Sequence, residues 1–231
     1  MMPLHDLGLK GGLIVSCQAY PGDPLYGSAF MVAMAKAAKM AGAKGIRANG
    51  PLDIMAIKSE VDLPIIGINK IRVKGAHPRF YITPTFEAAR EVVERGADIV
   101  AMHVLPEYDP DPKRLPERIR RIKEELGVFV MADIATVDDA KFAVDAGVDI
   151  VATTSARYTY PDEKMEGPAI DLVRELSEIL PVPVIAEGHY HRPEECAQAI
   201  KAGAYAVVVG AALTIPQEAM RWFVEAIEKA A

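Results

Sequence analysis

A lysine at the end of one apolar run and a glutamate at the end of another are the residues of this chain best suited to move a proton. Lys70 closes Pro64-Ile-Ile-Gly-Ile-Asn, which puts its amine at the rim of an apolar well. Desolvation there, with a cation such as Arg47 nearby, favours the neutral base. The plain alternative is a solvated lysine opening a loop that also holds Arg72 and Lys74. Glu187, in Val184-Ile-Ala-Glu-Gly, is a carboxylate where one is uncommon unless paired or working. Together they read as a proton shuttle.

The first polar group beyond each apolar run is Gln18, Arg47 with Asn49, Asn69 with Lys70, His103, Asp133, Thr153 with Thr154, Glu187, and then Gly210. Any one of them could simply mark where a strand stops. Jointly they suggest a polar ring. Gly188 and the stretch Val209-Gly-Ala-Ala would let backbone amides approach an oxyanion, although glycine at a tight turn also has a purely steric explanation. His103 reads either as a donor or acid near the chemistry or as a hydrogen-bonded rim histidine. His189 and His191 are poorly placed to share a metal, because alternate residues in a turn point apart. Cys17 has no fixed cationic neighbour and reads as packing, and with Cys196 it forms no metal or disulfide framework. No metal is expected.

Positioning such a ring requires many strands ending at one face. A phrase of Gly, then Ala or Val, then an apolar run recurs at Gly42, Gly96, Gly147 and Gly203, at intervals of 54, 51 and 56 residues. Each occurrence is a helix stop running into a strand, and the interval is two βα units. Four further strands lie between them, at Gly12-Leu-Ile-Val-Ser, Leu63-Pro-Ile-Ile-Gly-Ile, Gly127-Val-Phe-Val-Met-Ala and Val182-Pro-Val-Ile-Ala. Helical segments are predicted at Ser28 to Ala41, Pro51 to Lys58, Phe86 to Arg95, Pro116 to Leu126, Val137 to Ala146, Pro168 to Leu180, Pro193 to Ala202 and Pro216 to Ala230. Several open with proline, whose missing N–H costs nothing in a first turn. Eight strands, each followed by a helix, predict a (β/α)8 TIM barrel with its site at the C-terminal ends of the strands. An open doubly wound sheet would normally carry a Gly-x-Gly-x-x-Gly turn after its first strand, where this chain has Cys17-Gln-Ala-Tyr-Pro. Longer loops are expected at Lys70 to Phe80 and Leu105 to Leu115.

Composition agrees. The 231 residues suit one barrel domain over 1–231, and 51% hydrophobic with only 6% aromatic content fits strands covered on both faces. A formal charge of -6 with dispersed Lys and Arg gives no footprint for nucleic acid. No run approaches a membrane span and no cleavable leader is evident, so a cytoplasmic enzyme is expected. The apolar face of the last helix, with Trp222 and Phe223, serves equally as barrel packing or as the contact of a homo-oligomer.

The phrases Gly11-Gly-Leu-Ile-Val-Ser-Cys-Gln-Ala, Gly45-Ile-Arg-Ala-Asn-Gly, Leu63-Pro-Ile-Ile-Gly-Ile-Asn-Lys, Tyr81-Ile-Thr-Pro-Thr, Met131-Ala-Asp-Ile-Ala-Thr, Ile185-Ala-Glu-Gly and Ala206-Val-Val-Val-Gly-Ala-Ala-Leu-Thr-Ile-Pro-Gln-Glu span the chain in order. They resemble the N-acetylmannosamine-6-phosphate 2-epimerases. The resemblance implies a ribulose-phosphate-binding type of barrel, active in the catabolism of sialic acid and N-acetylmannosamine. Its members interconvert N-acetylmannosamine 6-phosphate and N-acetylglucosamine 6-phosphate at C2, with neither metal nor nucleotide cofactor. By motif, Lys70 would be the proton-transfer lysine and Glu187 the assisting carboxylate. Gln18, Arg47 and Asp133 would contact the sugar, with Thr154, Tyr158 and His103 completing that wall. Gly188, His189, Gly210 and Ala211 would hold the phosphate.

The departures cluster at the rim. Asp-Ala-Thr after the fourth strand is replaced by His103-Val-Leu-Pro-Glu-Tyr-Asp, the Arg after Ala-Glu-Gly is His189, and Arg157 precedes Tyr158. The charge lost at His189 could come from Arg192. Two other readings stay open: a different phosphosugar isomerase or synthase using a Schiff base on the lysine, and a phosphosugar-binding barrel without turnover.

Overall fold

The computed structural model describes residues 4–72, 80–109, 111–159 and 167–230. Among the described residues ten strands form: β1 (Leu13–Cys17), β2 (Gly45–Asn49), β3 (Ile65–Ile68), β4 (Lys70–Arg72), β5 (Phe80–Ile82), β6 (Ile99–His103), β7 (Phe129–Asp133), β8 (Ile150–Ala152), β9 (Val184–Glu187) and β10 (Ala206–Val209). Eight of them close a parallel barrel in the order β1-β10-β9-β8-β7-β6-β3-β2. The helices are α1 (Ser28–Met40), α2 (Pro51–Glu60), α3 (Phe86–Val93), α4 (Leu115–Leu126), α5 (Val137–Asp145), α6 (Ile170–Ile179), α7 (Pro193–Lys201), α8 (Ala211–Thr214) and α9 (Pro216–Ala230).

Alternation along each strand divides the apolar residues between two cores. Ile14, Ile66, Ile68, Ile99, Ala101, Met131, Ile150, Ile185 and Val208 fill the inside of the barrel. Val15, Cys17, Ile46, Ala48, Val100, Met102, Val130 and Ala132 face outward, under the helices. Burying each large aliphatic contributes about 1.5–3 kcal/mol. The same period of two sends Ser16, Arg47, His103, Asp133 and Glu187 inward, as the layer above the apolar filling. Cys17 points the other way, and burial pushes its thiol up to about 12, which makes it packing.

The far end of the barrel is plugged. A short helical turn at Leu4–Leu7 precedes Leu9, which is fully buried among the inner residues. A Cβ at Gly45 would stand only 2.7 Å from Leu9 Cδ2, so glycine there makes room for the plug. Helix starts follow local chemistry. The Thr85 hydroxyl accepts from the Ala88 N–H, and Thr136 with Asp139 forms a reciprocal capping box.

Two expectations need correction. The segment Lys70 to Phe80 is not wholly loop: β4 and β5 pair antiparallel, with Lys70 opposite Ile82 and Arg72 opposite Phe80. Three-residue strands are too short to show a period of two in sequence. Lys74 and the rest of the tip, residues 73–79, lie outside the described residues. The last strand leads first into α8, a four-residue helix opening at Gly210, and only then into α9.

Candidate active site

Above the inner core the strand ends enclose a cavity of about 470 Å³. Lys70 and Glu187 both line it, as do Gln18, His103, Thr154 and Tyr158 from the expected sugar wall. Gly188, His189, Gly210 and Ala211 line it as well. Arg47 and Asp133 do not. They are buried, 1% and 0% exposed, while Glu187, which Arg47 touches, lines the cavity.

Their side chains are engaged with each other and with Glu187. Arg47 Nη2 donates to Asp133 Oδ2 at 2.6 Å, Nη1 donates to Asp133 Oδ1 at 3.0 Å, and Nη1 also reaches Glu187 Oε2 at 2.7 Å. A planar guanidinium is suited to this fork, which ties β2, β7 and β9 together. The Thr154 hydroxyl donates to Asp133 Oδ1 at 2.5 Å. One guanidinium thus serves two carboxylates. Burial raises the Glu187 carboxyl from 4.5 to about 7, with Asp133 adding to the rise and Arg47 opposing it. Such a group can give or take a proton near neutrality.

Across the cavity, Lys70 is held at both ends. Its backbone N–H donates to Asn49 Oδ1 at 2.9 Å and its Nζ donates to the Tyr20 hydroxyl at 2.7 Å. In the barrel order, β3 and β9 are four strands apart in either direction. Lys70 follows β3 and Glu187 ends β9, so the two enter from opposite sides of the barrel, and both line the cavity. His103 lies on the adjacent strand β6. Its Nδ1 accepts from the Ile82 N–H at 3.3 Å, which leaves the ring hydrogen on Nε2. Burial depresses its pKa to about 4, so it stays neutral. Gln18 Nε2 donates to Ser16 Oγ at 2.7 Å, while its buried Oε1 has no partner; a buried orphan of this kind in a cavity wall suits a polar ligand.

Among the described residues, three that are not glycine have positive φ: Thr83 at 47°, Arg157 at 65° and His189 at 60°. All three sit at the mouth of the barrel, where such strain commonly marks function. Thr83 is held there by donating to the Ala101 carbonyl and accepting from the Asn69 N–H. His189 stacks on Tyr158 with ring centroids 4.1 Å apart, and its backbone N–H is engaged by the Tyr158 hydroxyl. His191 also lines the cavity and packs on Trp222, with ring centroids 3.9 Å apart. Arg157 donates to the Gly167 carbonyl. Arg192 does not supply a charge to the cavity: its side chain is 74% exposed and pairs with Glu195 at 3.0 Å. Among the described residues no group of three or more His, Cys, Asp or Glu side chains is arranged to hold a metal ion.

Sequence reasoning missed Tyr20. It lies two residues beyond Gln18, and its partners Lys70 and Phe80 are distant in the chain. Phe80, which carries the Tyr20 stack at 5.4 Å, was hidden at the end of an expected loop.

Comparison with known proteins places this geometry in company. Residues 31–229 match the family model described as "Putative N-acetylmannosamine-6-phosphate epimerase". A protein of Caldanaerobacter subterraneus subsp. tengcongensis, named "Putative N-acetylmannosamine-6-phosphate 2-epimerase", is 47% identical over 222 residues, covering 96% of this chain and 93% of the relative. A protein of the same name from Cutibacterium acnes is 43% identical, covering 95% of each. The solved structure of the N-acetylmannosamine-6-phosphate 2-epimerase from Clostridium perfringens superposes with a TM-score of 0.89 at 36% identity, covering 96% of both chains.

Proposed function

The chain belongs to the N-acetylmannosamine-6-phosphate epimerase family, and we propose that it interconverts N-acetylmannosamine 6-phosphate and N-acetylglucosamine 6-phosphate by proton transfer at C2. The observation that carries this reading is the opposition of Lys70 and Glu187 across one cavity. In the open-chain sugar the C2 hydrogen is acidic because it lies α to the C1 aldehyde. Epimerisation removes that proton from one face and returns a proton to the other. Two groups on facing walls do this without a redox step: Lys70 takes the proton, Glu187 delivers one, and the reverse reaction exchanges their roles.

The enolate oxygen at C1 needs a donor in place beforehand. Arg47 is committed to Asp133 and Glu187, so the neutral Nε2–H of His103 is the wall group suited to this. The orphaned Gln18 amide oxygen suits the acetamido N–H. At the other end, the Gly188 turn and the α8 start at Gly210 and Ala211 offer backbone amides to the 6-phosphate, since the amides of a first helical turn lack intrahelical acceptors. Tyr158 and His189 wall that end.

No helix among the described residues is long and apolar enough to cross a membrane. The free thiols of Cys17 and Cys196 suit a reducing cytoplasm. Met220, Phe223, Val224 and Ile227 form an exposed apolar stripe on α9, which supports self-association through that helix. Trp222, by contrast, packs on His191.

The deciding experiment is NMR of each 6-phosphosugar with the protein in heavy water. Epimerisation with deuterium entering C2 is expected, and both are lost in Lys70→Ala while the fold persists. Full activity in that variant sinks the assignment.

A further inference from the structure

We infer that Tyr20 is a positioning residue for Lys70, holding its amine over the cavity through both protonation states. A lysine side chain at a cavity edge must give up its rotamer freedom before it occupies one geometry. The Tyr20 hydroxyl fixes it with a 2.7 Å hydrogen bond. The ammonium nitrogen is 5.5 Å from the ring centroid, so the contact is made at the hydroxyl and not by closest approach to the ring face.

The chemistry of the anchor matters. A carboxylate in this position would favour the ammonium and oppose release of its proton. A phenol is neutral, accepts from an ammonium, and can turn its hydrogen toward a neutral amine. It therefore keeps hold of Lys70 on both sides of the proton transfer.

Tyr20 is itself fixed relative to the hairpin that carries the lysine. Its ring stacks on Phe80 of β5, at 5.4 Å and 26°. Its N–H donates to Asp23 Oδ2 at 2.7 Å, the Asp23 N–H returns a bond to the Tyr20 carbonyl at 2.9 Å, and Asp23 Oδ1 accepts from Gln217 at 3.3 Å. The phenol thus bridges the end of β1, the β4–β5 hairpin and the start of α9.

The test is Tyr20→Phe, which keeps the Phe80 stack and removes only the hydroxyl. The kinetic arm rests on the epimerase reading; a second arm does not. With 6-phosphosugar, kcat and the C2 exchange rate are expected to fall together by about 10- to 100-fold, the cost of a misplaced reacting group, while KM stays near the parent value. Without substrate, acetic anhydride at high pH, read by peptide mass spectrometry, should modify Lys70 severalfold faster once the amine is untethered. Parent kcat, or a loss of kcat and KM together with a lower melting temperature, overturns the inference, as does unchanged acetylation of Lys70. If the parent chain turns over neither sugar, the epimerase reading fails and acetylation alone decides the Tyr20–Lys70 contact.

Discussion

Arg47 Nη1 donates to Glu187 Oε2 at 2.7 Å, and the same guanidinium carries the two bonds to Asp133. The guanidinium therefore fixes how the Glu187 carboxyl is held at the cavity wall. Arg47→Lys replaces a planar fork by one ammonium that cannot make all three bonds in this geometry. Its expected result is a folded protein with kcat reduced about 100-fold, as for other small misplacements of a reacting group. Arg47→Met leaves two buried carboxylates unpaired and should lose about 3–5 kcal/mol of stability in urea titrations.

The raised Glu187 carboxyl predicts a pH profile with a definite sign. In the proposed reaction the Lys70–Glu187 pair works while it carries one proton, on the lysine in one direction and on the glutamate in the other. Those two states hold the same number of protons, so kcat/KM should show the same limb in both directions. Activity rises as the pH passes through about 7, where the doubly protonated pair loses its first proton. Glu187→Gln should remove this limb and cost about 100- to 10,000-fold in rate. Folding responds oppositely: the folded chain keeps the Glu187 proton up to about 7, whereas the unfolded chain releases it near 4.5. The folded state binds more protons in that window, so stability should fall as pH rises through it and level off above, a slope absent from Glu187→Gln in urea midpoints.

His103 makes a contrasting case. Burial holds it down to about 4, so it contributes no titration near neutrality. His103→Asn is expected to slow turnover through loss of the Nε2–H donor while leaving the limb near pH 7 in place. A limb that disappears with His103 would reassign it.

The barrel was legible because its strands are covered on both faces, which forces continuous aliphatic runs after each Gly-Ala or Gly-Val helix stop. The strand-end residues were legible for the same reason. Their partners were not: Arg47, Asp133 and Glu187 each end an apolar run, and only the closed barrel brings the three side chains into one hydrogen-bonded group. The β4–β5 hairpin escaped because three residues carry no period. Tyr20 escaped because its importance resides in a hydrogen bond to a residue 50 positions away, and local pattern contains no trace of such a contact.

The α9 stripe separates two roles that sequence left joined. Trp222 is engaged by His191, while Phe223 and Ile227 are 72% and 69% exposed. Phe223→Glu, placed in a contact between copies, should shift sedimentation velocity toward the monomer with little change in the thermal stability of the barrel. An unaltered sedimentation coefficient removes this face from the assembly.

The proposed phosphate end would rest on backbone amides, and glycine substitutions probe it at two levels of strain. Gly188 has φ of 105°, and an added Cβ would meet Thr153 O and Thr154 O at 3.5 Å and Tyr158 Cε2 at 3.6 Å. Space is adequate, so the cost of Gly188→Ala is conformational, about 1–3 kcal/mol, and is expected both in stability and in displaced amides. Gly210 has no such φ, and its added Cβ would stand 3.4 Å from Ser16 Cβ, a contact the structure can absorb. Gly210→Ala should therefore keep stability while its methyl narrows the approach to the amides that open α8. If those amides hold the 6-phosphate, its KM should rise about tenfold or more, corresponding to about 1.4 kcal/mol of lost binding. kcat at saturation should change little, because the phosphate lies away from C2 and its contacts are shared by ground and transition states. A kcat loss at constant KM would instead place α8 beside the reacting carbon and move the phosphate elsewhere in the cavity.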